Sequence, residues 1–523
     1  MHFGEMQVKS WIFGSWFLFV LNIWSVGAHV CNVDGTGRLH RLVRSTPPAE
    51  CRLAEGVDLG SYPFERFEPG KSPKIDRIVN ATRHAWNGYA QYAWGYDELA
   101  PLSKSGVNTF NGIAVTIIDG IDTLYMMGLE DEYNQARDYI LHHFYPEEIG
   151  LVSVFETTIR ILGGLLSIYH LTGDEEFLDV AENVGMRLGV AFNSPSGLPF
   201  PQCTLSAPYC TTVAFHGFSV VLAEAGTLQL EFRALAYHAR SAAVRGLRKK
   251  AEAAIDVLLS SSPLDSPGLL PSMIDIRTGA RAATSKTFGA GADSYYEYIV
   301  KMWIQGGKKE DKYKEIFRSW MQDLRRVVLE IDDDMYFVQM LSADRLTPRM
   351  DHYTCFLPGA IYLGIEAAVS EAERHTWQSI AERITRTCME SYRKTRVGLS
   401  GDDLRLLNGA LRVFGGHHLR PEVLEAIFYM WRWTRDPMYR DWAWEIFERT
   451  ERVCKSEVGY TPVANVNSSR PKYLDVMHSF FLSESLKYMH LIFSEDRVLP
   501  LDKYVLNTEA HPLLIMPNIG EVE

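Results

Sequence analysis

The stretch FETTIRILGGLLSIYHLTGDEEFLDVAENVGMRLG, residues 155–189, decides the fold of this 523-residue chain. After Arg160 its first half is almost entirely apolar, so a helix formed there cannot face water. A break at Gly173 and Asp174 follows, and the second half then carries apolar residues at helical spacing with charges between them. The pattern predicts a buried helix followed by an amphipathic helix that covers it.

The same two-helix unit recurs along the chain. Two further clear copies are DSYYEYIVKMWIQGGKKEDKYKEIFRSWMQDL at 293–324 and LRPEVLEAIFYMWRWTRDPMYRDWAWEIFERT at 419–450. Less regular copies begin at Gly112, Gly226, Phe356 and Phe480, and strand-like alternation is scarce. Repetition of one helical unit predicts a closed or stacked array. We therefore predict an all-α barrel of helical hairpins, in which the N-termini of the inner helices meet at one end.

Composition excludes several classes of function. Of the residues, 46% are hydrophobic, which allows a large core but is too few for a polytopic membrane protein. Lys and Arg total 53 against 65 Asp and Glu, giving a net charge of −12. A surface of that sign repels phosphate backbones, so we expect no nucleic acid partner.

The N-terminus carries a targeting signal. Residues 11–28, WIFGSWFLFVLNIWSVGA, contain no charge, as expected of a secretory signal peptide cleaved after Ala28 or of a signal anchor that stays in the membrane. The cleaved signal peptide and the signal anchor both remain possible interpretations, and a buried core helix is the least favoured of the three. Residues 29–70 are rich in Pro, Gly and Ser and predict a stem or linker. The folded domain is predicted at 71–516.

Cysteines and glycosylation sequons fit a lumenal chain. Disulfides are expected in the secretory pathway, and spacing alone cannot pair the seven cysteines, which are Cys31, Cys51, Cys203, Cys210, Cys355, Cys388 and Cys454. Asn80 and Asn467 begin the tripeptides NAT and NSS, which are acceptors for N-glycosylation.

Carboxylates recur where the apolar helices begin. Glu156, Asp293 and Glu422 stand at three such entrances, and Glu484 lies one turn into a fourth. An acidic residue in the first turn of a helix also satisfies the helix dipole, so each one alone has a structural explanation. Four together, each leading into an apolar segment, favour a shared acidic cavity.

Paired carboxylates around a pocket are the groups that glycoside hydrolysis needs. One carboxyl protonates the leaving oxygen, while another activates water or attacks the sugar carbon. The motifs of serine hydrolases, nucleotide-binding loops and zinc proteases are absent from the sequence. We therefore favour a carbohydrate hydrolase.

Several sequence blocks, taken together and in order, resemble the class I α1,2-mannosidases of glycoside hydrolase family 47. They include NGIAVTIIDGIDTLYMMGL (111–129), VSVFETTIRILGGLLSIYHLTGD (152–174), GADSYYEYIVKMWIQGGK (291–308), LRPEVLEAIFYMWR (419–432), SFFLSESLKYMHLIFSE (479–495) and the tail NTEAHP (507–512). The resemblance runs from about residue 87 to this tail. It implies an (α/α)7 barrel that removes terminal α1,2-linked mannose from high-mannose N-glycans with inversion, and that binds Ca²⁺.

The resemblance also implies roles for individual residues. Glu156 falls at the position of the general acid, Glu422 at that of the base, and Asp293 is the third catalytic carboxylate. An inverting mechanism needs acid and base carboxyls about 6.5–9.5 Å apart, with water between sugar and base. The implied sugar-binding set is Arg160, Glu297, His352, Arg420, Glu425 and Phe480, with Asp119 and Asp122 in an acidic floor.

The tail and one disulfide are implied in the same way. Thr508 matches a direct Ca²⁺ ligand through its carbonyl and hydroxyl oxygens, and Glu484 and Glu509 would hold waters of the metal shell. His511 is then expected to pack or to form hydrogen bonds, because Ca²⁺ prefers oxygen ligands. The resemblance pairs Cys355 with Cys388.

One departure bears on specificity. Gly291 occupies a position where family members of the endoplasmic reticulum tend to have Arg, so we expect removal of several mannoses, as in Golgi and fungal members. The expected location is the lumen of the Golgi or endoplasmic reticulum as a type II membrane protein, or outside the cell if the signal is cleaved. Two alternatives are a glycan-recognition factor of the same fold that directs misfolded glycoproteins to degradation, and a hydrolase of another α-toroid family.

Overall fold

Two concentric rings of helices form the structure, a computed structural model that describes residues 72–342 and 345–521. The inner ring consists of helices that are buried over almost their whole length. They are α2 (Val115–Met126), α5 (Gly163–Thr172), α8 (Gln229–His238), α11 (Asp293–Gln305), α13 (Leu357–Leu363), α15 (Glu422–Thr434) and α17 (Leu486–Phe493).

The outer ring consists of amphipathic helices with one solvent face. They are α1 (Pro73–Tyr92), α3 (Glu130–His142), α6 (Glu175–Leu188), α10 (Leu247–Ser260), α12 (Asp311–Val327), α14 (Glu371–Arg393) and α16 (Pro437–Val453). Three short helices, α4 (Val154–Glu156), α7 (Leu222–Gly226) and α9 (Ala242–Arg245), lie in the connections.

Contacts between the helices close the barrel. Each inner helix packs against the next, and the π-helical turn Phe481–Ser485 before α17 packs against α2, which completes the ring. Each outer helix covers the inner helix that precedes it, except that α1 covers α17. The described residues therefore form seven inner and outer pairs, and the (α/α)7 barrel is confirmed.

Short strands in the connections are the feature that the sequence pattern did not reveal. The described residues contain eighteen, all in antiparallel pairs and each of two to five residues. Strands of this length give too little alternation to detect. They are β1 (Glu98–Ala100), β2 (Ser105–Val107), β3 (Leu151–Ser153), β4 (Gln202–Thr204), β5 (Tyr209–Thr211), β6 (Ser219–Val221), β7 (Met273–Asp275), β8 (Val328–Asp332), β9 (Met335–Val338), β10 (Met340–Ser342), β11 (Arg345–Thr347), β12 (Arg349–Asp351), β13 (Asp403–Leu407), β14 (Ala410–Phe414), β15 (Lys455–Ser456), β16 (Gly459–Tyr460), β17 (Tyr504–Leu506) and β18 (Pro512–Leu514).

The C-terminal hairpin enters the barrel. Strand β17 contacts α11, and β18 contacts α5 and α8. In the loop between the strands, Asn507 and His511 are fully buried. The tail that carries Thr508 is thus part of the core.

Two disulfides join described residues. Cys355, at the start of the inner helix α13, bonds to Cys388 of its outer partner α14, as the resemblance implies. Cys203 and Cys210 join β4 to β5. Cys454 is buried and not in a disulfide, whereas Cys31 and Cys51 lie outside the described residues.

The targeting and stem predictions for residues 1–28 and 29–70 also lie outside the described residues. Within the described ranges, no helix is long and apolar enough to cross a membrane. Asn80, on α1, and Asn467, in the connection after β16, are both exposed. The side-chain nitrogen of Asn467 donates a hydrogen bond to the carbonyl of Val413 at 2.7 Å.

Candidate active site

A cavity of about 460 Å³ opens where the inner helices begin. Its most prominent feature is a set of carboxylates contributed by several different hairpins. The acidic residues of its wall are Glu156, Glu224, Asp293, Glu297, Glu422, Glu425, Glu484 and Glu509. This is the shared acidic cavity that the helix-entrance carboxylates predict.

Helix starts position three of these carboxylates. The hydroxyl of Ser153 caps the turn that carries Glu156, accepting a hydrogen bond from the main-chain N–H of Glu156 at 3.2 Å. Asp293 and Glu422 are the first residues of α11 and α15. The positive end of a helix dipole therefore faces these side chains and offsets part of the cost of burying acidic groups.

Arg160 links the Glu156 side of the cavity to the C-terminal tail. Its guanidinium lies 2.8 Å from Glu156, 2.9 Å from Glu509 and 3.4 Å from Asp119. The side chain also lies over the ring of Phe480, 5.8 Å from its centre. One cation therefore orients two cavity carboxylates and approaches an aromatic face suited to a sugar.

The Glu422 side has its own supports. The Nε2 atom of His352 lies 3.3 Å from a carboxylate oxygen of Glu422, although the angles are not those of a hydrogen bond. Arg420 donates to Asp402 at 3.0 Å and covers the ring of Tyr353 at 4.3 Å. Arg420 thus forms a charged wall beside Glu422.

Asp293 holds its proton more tightly than an ordinary aspartic acid. Burial raises the pKa of Asp293 well above its usual value, and the nearby carboxylates of Asp351, Glu422 and Glu297 raise this pKa further. The main-chain N–H of Ser294, which donates at 2.8 Å, offsets only part of this effect. The side chain is therefore able to stay protonated when other aspartates have ionised.

A second group of carboxylates surrounds Thr508. Its hydroxyl donates to Glu297 at 2.8 Å. The ammonium of Lys301 contacts Glu297 and lies 3.4 Å from Glu425. Burial, followed by repulsion from Glu297, raises the pKa of Glu425 to about 8. Two carboxyl groups, those of Glu297 and Glu425, thus share one ammonium, so acidic groups are in excess.

The same excess appears at Glu484 and Glu509. Burial and then repulsion from Glu509 raise the pKa of Glu484 well above its usual value. Burial raises the pKa of Glu509 to about 8, although Arg160 acts in the opposite direction. The carboxyl groups of Glu484 and Glu509 and the oxygens of Thr508 together form a group of oxygen atoms. Such a group suits a hard cation such as Ca²⁺.

Direct coordination by several carboxylates is not part of this arrangement. Within residues 72–342 and 345–521, no three His, Cys, Asp or Glu side chains are grouped closely enough to hold a metal ion. A cation here would depend on Thr508 and on waters hydrogen-bonded to Glu484 and Glu509. The residues present fit that mode of binding.

Asp119, Asp122 and His352, which the resemblance assigns to the sugar-binding set and its acidic floor, lie beneath the cavity surface. None of the three lies on the cavity wall. Both aspartates are fully buried on α2, and His352 is 2% exposed beside Glu422. They lie behind the residues that a sugar would touch.

The two aspartates instead bind the tail. The two ring nitrogens of His511 lie 3.0 Å from Asp119 and 2.8 Å from Asp122. Lys487 contacts Asp122 at 2.9 Å and donates to the carbonyl of Ala510 at 2.7 Å. His511 therefore forms hydrogen bonds, as expected, and fixes the loop that carries Thr508 and Glu509.

Among the cavity residues missing from the predicted set, four have polar or aromatic side chains suited to a sugar. Glu224 begins a helix as Glu156 does, and its position in the block AEAGTLQLEF at 223–232 was the available signal. Phe110, Tyr353 and His478 also line the cavity. His478 stacks on Phe480 with 5.1 Å between ring centres and lies 3.1 Å from Glu98. No spacing rule in the sequence pointed to these three.

The barrel and its acidic cavity define a glycoside hydrolase of the α/α-barrel type. The family described as "Glycosyl hydrolase family 47" matches residues 81–515, and the chain belongs to this family.

Curated relatives and a solved structure agree with this assignment. The chain is 38% identical to mannosyl-oligosaccharide alpha-1,2-mannosidase IA of Spodoptera frugiperda, over 86% of this chain and 68% of that protein. It is 37% identical to the endoplasmic reticulum mannosyl-oligosaccharide 1,2-alpha-mannosidase of Mus musculus, over 84% and 67%. The alpha-1,2-mannosidase from Trichoderma reesei superposes with a TM-score of 0.76 at 26% identity, over 85% of this chain and 99% of that chain.

Proposed function

We propose that this enzyme hydrolyses terminal α1,2-linked mannose from high-mannose N-glycans, with inversion at the anomeric carbon. The observation behind the proposal is a single cavity that Glu156, Asp293 and Glu422 line together. Arg160 and Phe480 line the same cavity. Its volume of about 460 Å³ is in the range of sites for small ligands. The names of the family 47 relatives support mannose as the sugar.

The chemistry follows from two carboxyls with different tasks. Glu156 gives a proton to the glycosidic oxygen as the bond from that oxygen to the anomeric carbon breaks. Glu422 removes a proton from a water whose oxygen bonds to the opposite face of that carbon. Asp293, whose pKa is raised by burial, is a further carboxyl in the same cavity that is able to hold a proton. Arg160 holds Glu156 in position through its 2.8 Å contact.

Ca²⁺ is the proposed cofactor. Thr508 would bind it directly, and Glu484 and Glu509 would hold its waters. When bound, the ion supplies positive charge that neutralises the carboxylate cluster and attracts sugar hydroxyls. Lys301 helps to fix the position of Thr508, because it donates a hydrogen bond to the carbonyl of the preceding residue, Asn507, at 3.3 Å.

Chelation tests the proposed function. We expect the full-length protein to release mannose from a high-mannose N-glycan when Ca²⁺ is present, and to stop when EDTA is added. Readdition of Ca²⁺ should restore release, which mass spectrometry of the glycan measures. We also expect a lower melting temperature in EDTA, because an ion that binds only the folded protein stabilises it. Absence of release with Ca²⁺ would favour the glycan-recognition alternative, and release unaffected by EDTA would remove Ca²⁺ from the proposal.

Gly291 provides a test of how many mannoses are removed. It lines the cavity in the left-handed region, with φ +81°, and an added Cβ would lie 3.2 Å from Val221. We expect Gly291→Arg to stop trimming after fewer mannoses than the wild type, because the long cation fills part of the mouth. Gly291→Ala introduces the same backbone strain without the bulk and is the matched control. Equal product distributions for both variants would show that strain alone acts.

The proposed location is the lumen of the secretory pathway. The uncharged stretch at 11–28 supports entry into that pathway, and relatives named as endoplasmic reticulum mannosidases support residence there. Protease protection of the full-length protein in sealed microsomes tests the proposal, and digestion without detergent would contradict it.

A further inference from the structure

A segment of exposed aromatic residues adjoins the cavity. Residues 212–218 connect β5 to β6, and within them Phe215 and Phe218 are 83% and 55% exposed. Large exposed apolar side chains that cluster beside a cavity mark a binding surface more often than ordinary surface. We term residues 212–218 the aromatic rim.

Short strands connect both ends of the aromatic rim to the neighbourhood of the cavity wall. At one end, the register of the β3–β4–β5 sheet places Thr211 two strands from Ser153, the cap of the turn that carries Glu156. At the other end, β6 finishes at Val221, which lines the cavity. An extended chain rises about 3.3 Å per residue, so Phe218 lies within about 10 Å of Val221.

Neighbouring groups fix the conformation of the rim. The main-chain N–H of Ile276 donates to the carbonyl of Phe218 at 2.8 Å. The guanidinium of Arg277 lies 4.1 Å from the centre of the Phe218 ring. The disulfide between Cys203 and Cys210 joins β5, the strand that leads into the rim, to its neighbour β4. A surface held in this way loses little conformational entropy when a ligand binds.

We propose that the aromatic rim binds sugar rings of the glycan that lie beyond the mannose being released. This inference rests on the proposed function. A cavity of about 460 Å³ cannot contain a branched high-mannose glycan, so most of the glycan extends past the mouth. One face of a mannose ring consists of C–H groups, which pack against aromatic rings. The ring of Phe215 and the part of the Phe218 ring that Arg277 leaves exposed offer such surfaces, and the segment 212–218 carries no Asp, Glu, Lys or Arg.

The Phe215→Ala variant tests the proposal with two substrates. For a complete high-mannose glycan we expect kcat/KM to fall about two- to tenfold through KM, the range expected for one aromatic contact of about 0.5–1.5 kcal/mol. For α1,2-linked mannobiose, which fits inside the cavity, we expect no change. The matched control is Val369→Ala, because Val369 is 76% exposed and lies in the connection from α13 to α14, at the other end of the barrel.

Calorimetric binding of the complete glycan, measured with Phe215 and with Phe215→Ala in a Glu422→Gln background that is expected not to turn the glycan over, gives a readout that does not depend on turnover. We expect Phe215→Ala to weaken this binding by the same factor as the change in KM. Equal affinity of these two proteins for the glycan would overturn the proposal, as would an equal loss of activity on glycan and mannobiose. A loss seen only with an intact glycoprotein would assign the rim to the polypeptide and would also overturn it. Wild type that binds glycan but releases no mannose would refute the proposed function alone.

Discussion

The Glu422→Gln variant is expected to lose turnover by about a hundred- to ten-thousandfold while still binding a high-mannose glycan. An amide has the shape of the carboxylate but cannot accept the proton of the attacking water. Glu422 opens α15 and lies on the cavity wall, 3.3 Å from His352. The loss should therefore appear in kcat, since the groups that contact the sugar are unchanged.

Two measurements separate a missing base from a damaged fold. Single-turnover release of mannose, followed by mass spectrometry, reports the chemical step, and calorimetric binding of the glycan reports the site. Glu448→Gln is the matched control, because Glu448 lies on the outer helix α16 and forms an exposed ion pair with Arg77 at 3.1 Å. We expect wild-type activity for this control. Near-normal kcat in Glu422→Gln would show that another group activates the water.

Most of the fold could be predicted from the helical spacing of apolar residues in the sequence. The run that follows Arg160 is apolar on every face, and burial on every face is the property that distinguishes inner from outer helices. The count of seven pairs followed from the resemblance rather than from the repeats, because the inner helix after Phe356 spans only Leu357–Leu363. The partner of the last inner helix is α1, the first helix of the described chain, and pairing between elements so far apart leaves no local signal.

The candidate site was predictable where chemistry coincides with a helix start. Glu156, Asp293 and Glu422 stand out because each introduces an apolar helix, and all three line the cavity. The partner of Asp119 and Asp122 could not be predicted from the sequence. A sequence shows that two aspartates lie on a buried helix, but it does not show which way they point. Their partner His511 lies more than 380 residues away in the chain.

The contacts of His511 predict a large effect on stability. The His511 side chain is fully buried between Asp119 and Asp122. Burial disfavours a charged imidazole, whereas the two aspartates favour it. The net result is that the pKa of His511 is raised to about 8. At pH 6.5 the imidazolium therefore carries a charge that both aspartates share. We expect His511→Ala to lower the free energy of unfolding by about 3–5 kcal/mol at this pH, because two buried carboxylates lose a common partner.

The effect should depend on pH in a direction set by the pKa. Histidine in the unfolded chain titrates near pH 6.5, and the folded value is higher, so this stabilisation is complete below about pH 6.5 and is lost as the pH rises through about 8. The difference between wild type and His511→Ala should therefore shrink by about 2 kcal/mol between pH 6.5 and pH 9. Urea denaturation in EDTA at both pH values measures it.

The exposed His143 at the end of α3 provides the control. His143→Ala should change the free energy of unfolding by no more than about 0.5 kcal/mol at either pH. A His511→Ala difference that stays constant from pH 6.5 to pH 9 would mean that the folded protein holds His511 neutral. The tail would then depend on hydrogen bonds alone. A difference that shrinks as expected would show that an ion cluster behind the cavity holds Thr508 and Glu509 in place, which makes the loop between β17 and β18 a structural requirement of the site.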